Sequence, residues 1–202
     1  MEIHIQIPLN AQVNCLDGEC GQSQELIIDP KDQRVTHLVV KERTKEQIER
    51  LVPIGMISGT GENTISLCCN KDDLSEFEVF CERDVVMRRM DNVVHDEKGT
   101  YYSYPVTRQI VIENKSIPKG KLSFDQNTYI EASDGRVGKL ERMLVNPNTT
   151  SITHFVVNEG SLLGPREMNV PVRAIDHFTS DAIFLNLSKK EIGELRHVHS
   201  LP

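Results

Sequence analysis

His37 and His154 have the clearest potential for acid–base or metal chemistry, because they recur at one place in two similar stretches, Thr36-His37-Leu38 and Thr153-His154-Phe155. A general base also needs a nucleophile or an orienting carboxylate beside it, and the two stretches share neither. Each histidine is therefore read as a strand residue hydrogen-bonded to a neighbouring loop. His197-Val198-His199 is a second candidate metal pair, assigned to a frayed carboxy-terminal tail. Five cysteines make an odd count. Cys15 and Cys20 flank Asp17-Gly18, so a tight turn could bring their thiols together, and a redox or metal role for them stays open. Cys68 and Cys69 are adjacent and Cys81 stands alone. A closed zinc site takes four ligands in paired short spacings, and no second C-x-x-C supplies them. Buried, reduced thiols are the expectation. Ser23 and Ser58 lack a G-x-S-x-G context, and no phosphate-binding glycine loop occurs. Gly59-Thr60-Gly61-Glu62-Asn63 reads as a hairpin loop, and Asp17 and Asp134 read as turn residues. The reading is of a protein that is not an enzyme and takes no cofactor and no metal.

The elements that would carry such residues belong to a chain of 202 residues, 38 % hydrophobic and 26 % charged, which is globular composition with room for a sizeable core. With 23 basic and 30 acidic residues the net charge is −7, which disfavours nucleic acid as the main partner. The imbalance is uneven: residues 1–114 carry 12 basic against 20 acidic side chains, whereas residues 115–202 carry 11 against 10. No apolar run approaches the roughly 20 residues of a membrane span. Met1-Glu2-Ile3-His4-Ile5 lacks the basic-then-apolar layout of a secretory signal. A soluble, cytoplasmic protein is the expectation.

The chain repeats itself. Asp17-Gly18-x-x-Gly21 recurs 117 residues on as Asp134-Gly135-x-x-Gly138, Asp29-Pro30 as Asn146-Pro147, and Val35-Thr36-His37-Leu38-Val39-Val40 as Ile152-Thr153-His154-Phe155-Val156-Val157. Over positions 17–40, 8 of 24 residues are identical. One inserted residue then moves the offset to 118, matching Pro53, Ile57, Ile65 and Leu74 with Pro171, Ile175, Ile183 and Ile192. Two blocks in the same order establish a duplication. Leu26-Ile27-Ile28, Val35 to Val40 and Ile65 to Leu67, with their counterparts, read as strands. Asx-Pro marks the turn before the second of them, and Pro53 and Pro171 read as openers of a further strand. Ser188-Lys189-Lys190-Glu191 has capping-box spacing and Asn70-Lys71-Asp72-Asp73 is its looser counterpart, so each copy closes on a short helical turn that buries Leu74 or Ile192. Five or six curled strands per copy, each copy around its own core, follow from the turn spacing.

D-G-x-x-G, an apolar strand, [DN]-P-x-x-x-x-[VI]-T-H-[LF]-V-V and the later strand segments resemble the PRC-barrel family, in both copies and over about four fifths of the chain. That family is named for the cytoplasmic part of the H subunit of photosynthetic reaction centres, and it includes the carboxy-terminal domain of a 16S ribosomal RNA maturation factor. The resemblance implies two small β-barrels in tandem that bind other proteins without a shared catalytic set.

The expected organisation is an all-β chain with one barrel-like repeat over residues 1–84, an ordered connector over 85–121 and the second repeat over 122–202. The connector holds Met87-Arg88-Arg89-Met90, the polar stretch His95 to Gly99, and Tyr101-Tyr102-Ser103-Tyr104-Pro105. Tyr and Arg recur at binding hot spots, so Arg88, Arg89, Tyr101, Tyr102 and Tyr104 are candidate partner contacts. The other reading is that the tyrosines pack the connector onto the barrels, and the alternation of Val106, Ile110 and Ile112 into a connector strand favours it. The functional reading is a protein-binding or scaffolding module, and a homo-oligomer is compatible with it. The alternatives are an RNA-processing or ribosome-associated factor and a small-ligand or metal sensor.

Overall fold

A computed structural model describes residues 4–95, 97–159 and 166–198, and they build an all-β protein. The two copies of the repeat make one compact unit, and Cys81–Ser116 make a second. The first copy contributes β1 (Ile5–Pro8), β2 (Gln12–Cys15), β3 (Gly18–Asp29), β4 (Arg34–Glu42), β5 (Glu49–Pro53), β6 (Ile57–Thr60), β7 (Thr64–Leu67) and helix α1 (Lys71–Glu76). The second unit is β8 (Cys81–His95) and β9 (Tyr101–Lys115). The second copy repeats the first as β10 (Leu122–Phe124), β11 (Tyr129–Ala132), β12 (Gly135–Val145), β13 (Ile152–Glu159), β14 (Arg166–Pro171), β15 (Ile175–Phe178), β16 (Ala182–Leu185) and α2 (Lys189–Val198). Pro53 and Pro171 close a strand and lead into a 3-10 turn, which corrects their reading as strand openers. Helix α2 takes the backbone of His197 into its last turn, so this residue is not in a frayed tail; His199 lies outside the described residues.

The repeated motifs act through local chemistry. Asp29 Oδ1 accepts from the backbone N–H groups of Lys31 (2.9 Å) and Asp32 (3.3 Å), and Asn146 Oδ1 does the same for Asn148 (2.9 Å) and Thr149 (3.3 Å). These are the Asx turns that the sequence predicts. In Asp17-Gly18 and Asp134-Gly135 the glycines take positive φ, +117° and +126°. Each stands directly after a two-residue turn rather than inside it. The aspartates reach across to the closing helices. Asp17 Oδ1 accepts from Lys71 N–H at 3.1 Å, and Asp134 Oδ1 from Lys189 N–H at 2.9 Å, satisfying a first-turn donor of α1 and α2. Ser188 and Glu191 form the predicted capping box, with Glu191 accepting from Ser188 N–H at 2.8 Å. Leu74 and Ile192 are buried as a result. Loss of such a cap typically costs about 1 kcal/mol. Asp17→Ala should therefore lower stability by that amount in urea titration, and Asp17→Asn, which keeps an acceptor, by less.

Each sheet has seven strands, one more than the turn spacing suggested, because each copy has a further first strand, β1 or β10, and the copies exchange these two. The sheet of the first copy runs β5-β4-β3-β2-β7-β6 and adds β10 beside β3. The sheet of the second runs β14-β13-β12-β11-β16-β15 and adds β1 beside β12. Ile5 pairs with Val145 and Ile7 with Met143, while Leu122 pairs with Ile28 and Phe124 with Leu26, which is the same register seen from the other copy. Val35 N–H donates to Thr150 O (3.0 Å) and Ile152 N–H to Gln33 O (2.8 Å), again as equivalents. Gln33 and Thr150 both sit at positive φ, which turns each carbonyl toward the opposite copy. Lys121 pairs with Asp29, and Ser123 Oγ donates to Glu25, adding polar contacts to the exchange. Among the described residues neither sheet closes on itself.

One continuous buried cluster holds side chains of both copies, including Ile7, Leu26, Leu38 and Ile65 from one and Phe124, Ile130, Phe155 and Ile183 from the other. The expectation of a private core per copy is corrected accordingly. Each first strand puts its inward residue, Ile7 or Phe124, under the sheet of the opposite copy, where burial of apolar surface is worth about 25 cal/mol per Å².

Candidate functional site

Cys15, Cys20 and Cys69 of the first copy lie buried together in the shared core. Burial pushes the Cys15 thiol up to about 12 and that of Cys69 up to about 11, and it raises Cys20 as well. Thiols so disposed toward the protonated form are poor nucleophiles and poor ligands. Their equivalents in the second copy are Ala132, Val137 and Leu187, plain apolar residues, so the position calls for packing. Ser23 is fully buried; its Oγ accepts from Ala11 N–H at 2.8 Å and donates to Pro8 O at 2.9 Å. Among the described residues no group of three His, Cys, Asp or Glu is placed to hold a metal ion.

His37 lies half-buried in β4, with Nδ1 3.1 Å from Thr36 Oγ1, so its partner is its own strand neighbour and not a loop. Burial lowers its pKa below the ordinary 6.5. The Lys121 ammonium beside Asp29 holds that carboxyl below its usual 3.8. Both shifts have the same sign in a linkage analysis: the unfolded chain binds protons that the folded chain refuses, so stability is full above the unfolded-state value and falls as pH drops. Unfolding measured against pH should show a first loss of stability beginning near 6.5, removed by His37→Gln, and a second below 3.8, reduced by Asp29→Asn.

Two equivalent clefts flank Gly21 and Gly138, of about 530 and 450 Å³. Their linings do not match. Glu19, Gln22 and Lys41 stand in one where Arg136, Lys139 and Asn158 stand in the other, and Arg136 stacks on Tyr129 at 3.6 Å from the ring centroid. A shared ligand chemistry would need a shared polar set, and the pair lacks one.

The remaining candidates converge on the ribbon of β8 and β9. It pairs without a register shift from Cys81↔Lys115 to His95↔Tyr101, 15 residues a strand, or about 50 Å at the usual rise. It is thus longer than the connector strand the sequence suggested. Gly99, at φ +78°, turns the chain at its tip, and Asp96 lies outside the described residues. Of the 13 large exposed hydrophobic side chains among the described residues, 11 belong to it. Tyr101, Tyr102 and Tyr104 are 77 %, 54 % and 45 % exposed.

Strand alternation divides the five predicted residues between two faces. Arg88, Tyr102 and Tyr104 share one face with Val86, Met90, Val94, Val106, Arg108 and Ile110. Arg89 and Tyr101 lie on the opposite face, where polar and apolar residues mix and Arg83 pairs with Glu113 at 2.9 Å. On the first face Arg88 stands directly across from Arg108, and Asn92 Nδ2 donates to Tyr104 Oη at 2.7 Å. Met90, Val94, Val106, Arg108, Ile110 and Asn92 were not picked out as contacts from the sequence. The alternation of Val106 and Ile110, together with the cross-strand register, is the signal that finds them.

No family model matches the chain, and no curated protein matches it. No helix among the described residues is long and apolar enough to cross a membrane.

Proposed function

We propose that the chain is a non-catalytic protein-binding or scaffolding module of PRC-barrel type, in which two tandem barrel-like repeats form the base and the β8–β9 ribbon is the contact element. One observation carries this reading: the concentration of exposed apolar side chains, with tyrosine and arginine among them, on one two-stranded element. Exposed apolar patches of that kind mark interaction sites, and an isolated two-stranded ribbon is marginal in water until something covers it. The duplicated D-G-x-x-G and Asx-Pro motifs, acting as turn and capping devices in both copies, support the family assignment.

Capture from a native lysate with mass spectrometry tests it, comparing the full-length protein with the Tyr101→Ala/Tyr102→Ala double variant. The expected outcome is a protein retained by the parent and lost from the variant while the melting temperature holds. Retention by both, or a large drop in melting temperature in the variant, would count against the ribbon as the contact element.

A further inference from the structure

We infer that the face of the ribbon carrying Met90 is a dimer interface, and that its occupant is the same face of a second copy of this chain, packed antiparallel about a two-fold axis at the Met90–Val106 layer. The inference rests on the reading of the ribbon as a contact element and names its first partner. The face consists of successive cross-strand layers: Glu82/Asn114, Asp84/Ile112, Val86/Ile110, Arg88/Arg108, Met90/Val106, Asn92/Tyr104 and Val94/Tyr102. Val86, Met90, Val94, Tyr102 and Tyr104 are each between 42 % and 54 % exposed, so the apolar layers on either side of the arginine pair are open.

Two arginines directly opposite each other in such a strip repel. Neither has an acidic partner among the described residues. Whatever covers the face must therefore offer them acceptors or aromatic faces at one level and apolar groups at the levels on either side. The ribbon itself has that sequence of layers. Turned end over end about the Met90–Val106 layer, it sets Met90 on Met90 and Val106 on Val106 of the other copy. Val86 and Ile110 then meet Val94 and Tyr102, and the arginine layer meets Asn92 and Tyr104. The Asn92 amide N–H already donates to Tyr104 Oη, so its carbonyl oxygen is left to accept from the Arg88 guanidinium of the other copy. The ring of Tyr104 offers Arg108 a cation–π face. Any other axis loses this match. Through the arginine layer it would stack four guanidinium groups, and through Val86/Ile110, although Arg88 would meet Asp84, it would set Glu82 and Asn114 on Met90 and Val106 and leave the Asn92 and Val94 layers uncovered.

Face-to-face ribbons pack about 10 Å apart with strands roughly aligned. Five matched layers bury on the order of 1,000 Å² in total, near the lower limit of a specific interface, so the dimer should be concentration-dependent. The mixed opposite face, with Arg89 and Tyr101, stays open in the pair for a partner other than a second copy.

Sedimentation equilibrium of the full-length protein across the micromolar range tests this. The expected mass approaches twice the 22.9 kDa of the chain at the upper end. Met90→Arg, which sets like charges on the axis, should raise the dissociation constant by tenfold or more. Met87→Arg, on the opposite face, should leave it within about twofold. A second measurement fixes the register. With the exposed Cys68 replaced by serine, Met90→Cys alone should be linked to itself by a short bismaleimide. Val86→Cys should be linked only when mixed with Val94→Cys. A monomer at every concentration overturns the inference and leaves the outside-partner reading to the capture experiment. A dimer that survives Met90→Arg overturns it in favour of edge-to-edge pairing, and one broken equally by Met87→Arg overturns the choice of face. A dimer whose lysate capture is empty upholds the inference and sinks the broader binding reading.

Discussion

Gly138→Ala and Gly21→Ala should each destabilise the protein by about 3 kcal/mol, the upper end of what over-packing usually costs. The reason is a close approach of two backbones. A Cβ on Gly138 would stand 2.3 Å from Asn158 O and 2.9 Å from Val157 Cγ1, and a Cβ on Gly21 would stand 2.3 Å from Lys41 O and 2.9 Å from Val40 Cγ1. In both copies the atom in the way is a main-chain carbonyl of the adjacent strand, which no rotamer change removes. The strands must part, and the parting falls at the bulges where β2 and β11 change register against β3 and β12. Two comparisons isolate the cause. Gly18→Ala and Gly135→Ala meet only the end of a lysine side chain, no closer than 3.4 Å, so their cost is that of an L-residue at positive φ, roughly 1 kcal/mol. Gly55→Ala has nothing within 4 Å and should be neutral or slightly stabilising through the unfolded chain. Urea unfolding of the five variants should give that ranking. A Gly21→Ala protein as stable as Gly55→Ala would refute the close-approach account.

The position of the close approach is marked in the sequence, because the third residue after each Asp-Gly is glycine in both copies and a curled strand needs glycine where it kinks or a backbone comes close. The turns were legible for the same reason: Asx-Pro and Asp-Gly act over two or three residues, and their geometry needs nothing distant. Asp17 is different. Its turn role is local, but the helix donor it satisfies lies 54 residues on, and no spacing rule connects the two. The strand exchange was hidden more thoroughly. Ile5 and Ile7 have the same character as Leu122 and Phe124, so either copy could supply the strand beside β3, and the pattern of apolar residues is satisfied both ways. Which copy supplies it depends on chain connectivity and packing in three dimensions. In the ribbon, residue type singled out the arginines and tyrosines. Their division between faces was implicit in the neighbouring pairs Arg88-Arg89 and Tyr101-Tyr102, which a strand must split. The layer order needed the register.

Phe124→Ala should lower stability by about 3–5 kcal/mol, which for a domain of this size is a fall of about 10 °C in melting temperature. Phe124 is fully buried in a strand of only three residues. Its backbone pairs with Leu26 of the first copy, while its ring lies 5.9 Å from that of Phe178 in the second, which in turn stands 6.3 Å from Phe155. The side chain therefore bridges the copies, and removing it leaves a cavity that neither sheet can close alone. The thermodynamic consequence concerns cooperativity as much as magnitude. With β1 completing the second sheet and β10 the first, neither copy can unfold without stripping an edge strand from the other. Calorimetry of the parent should show one transition, and Phe124→Ala should move the whole of it. Ile7→Ala, the equivalent change on β1, should do the same with a somewhat smaller shift, since fewer buried atoms are lost. If the copies were energetically separate, each variant would displace one of two transitions and leave its fellow in place. A split endotherm would then mean that the exchanged strands add contacts without coupling the cores.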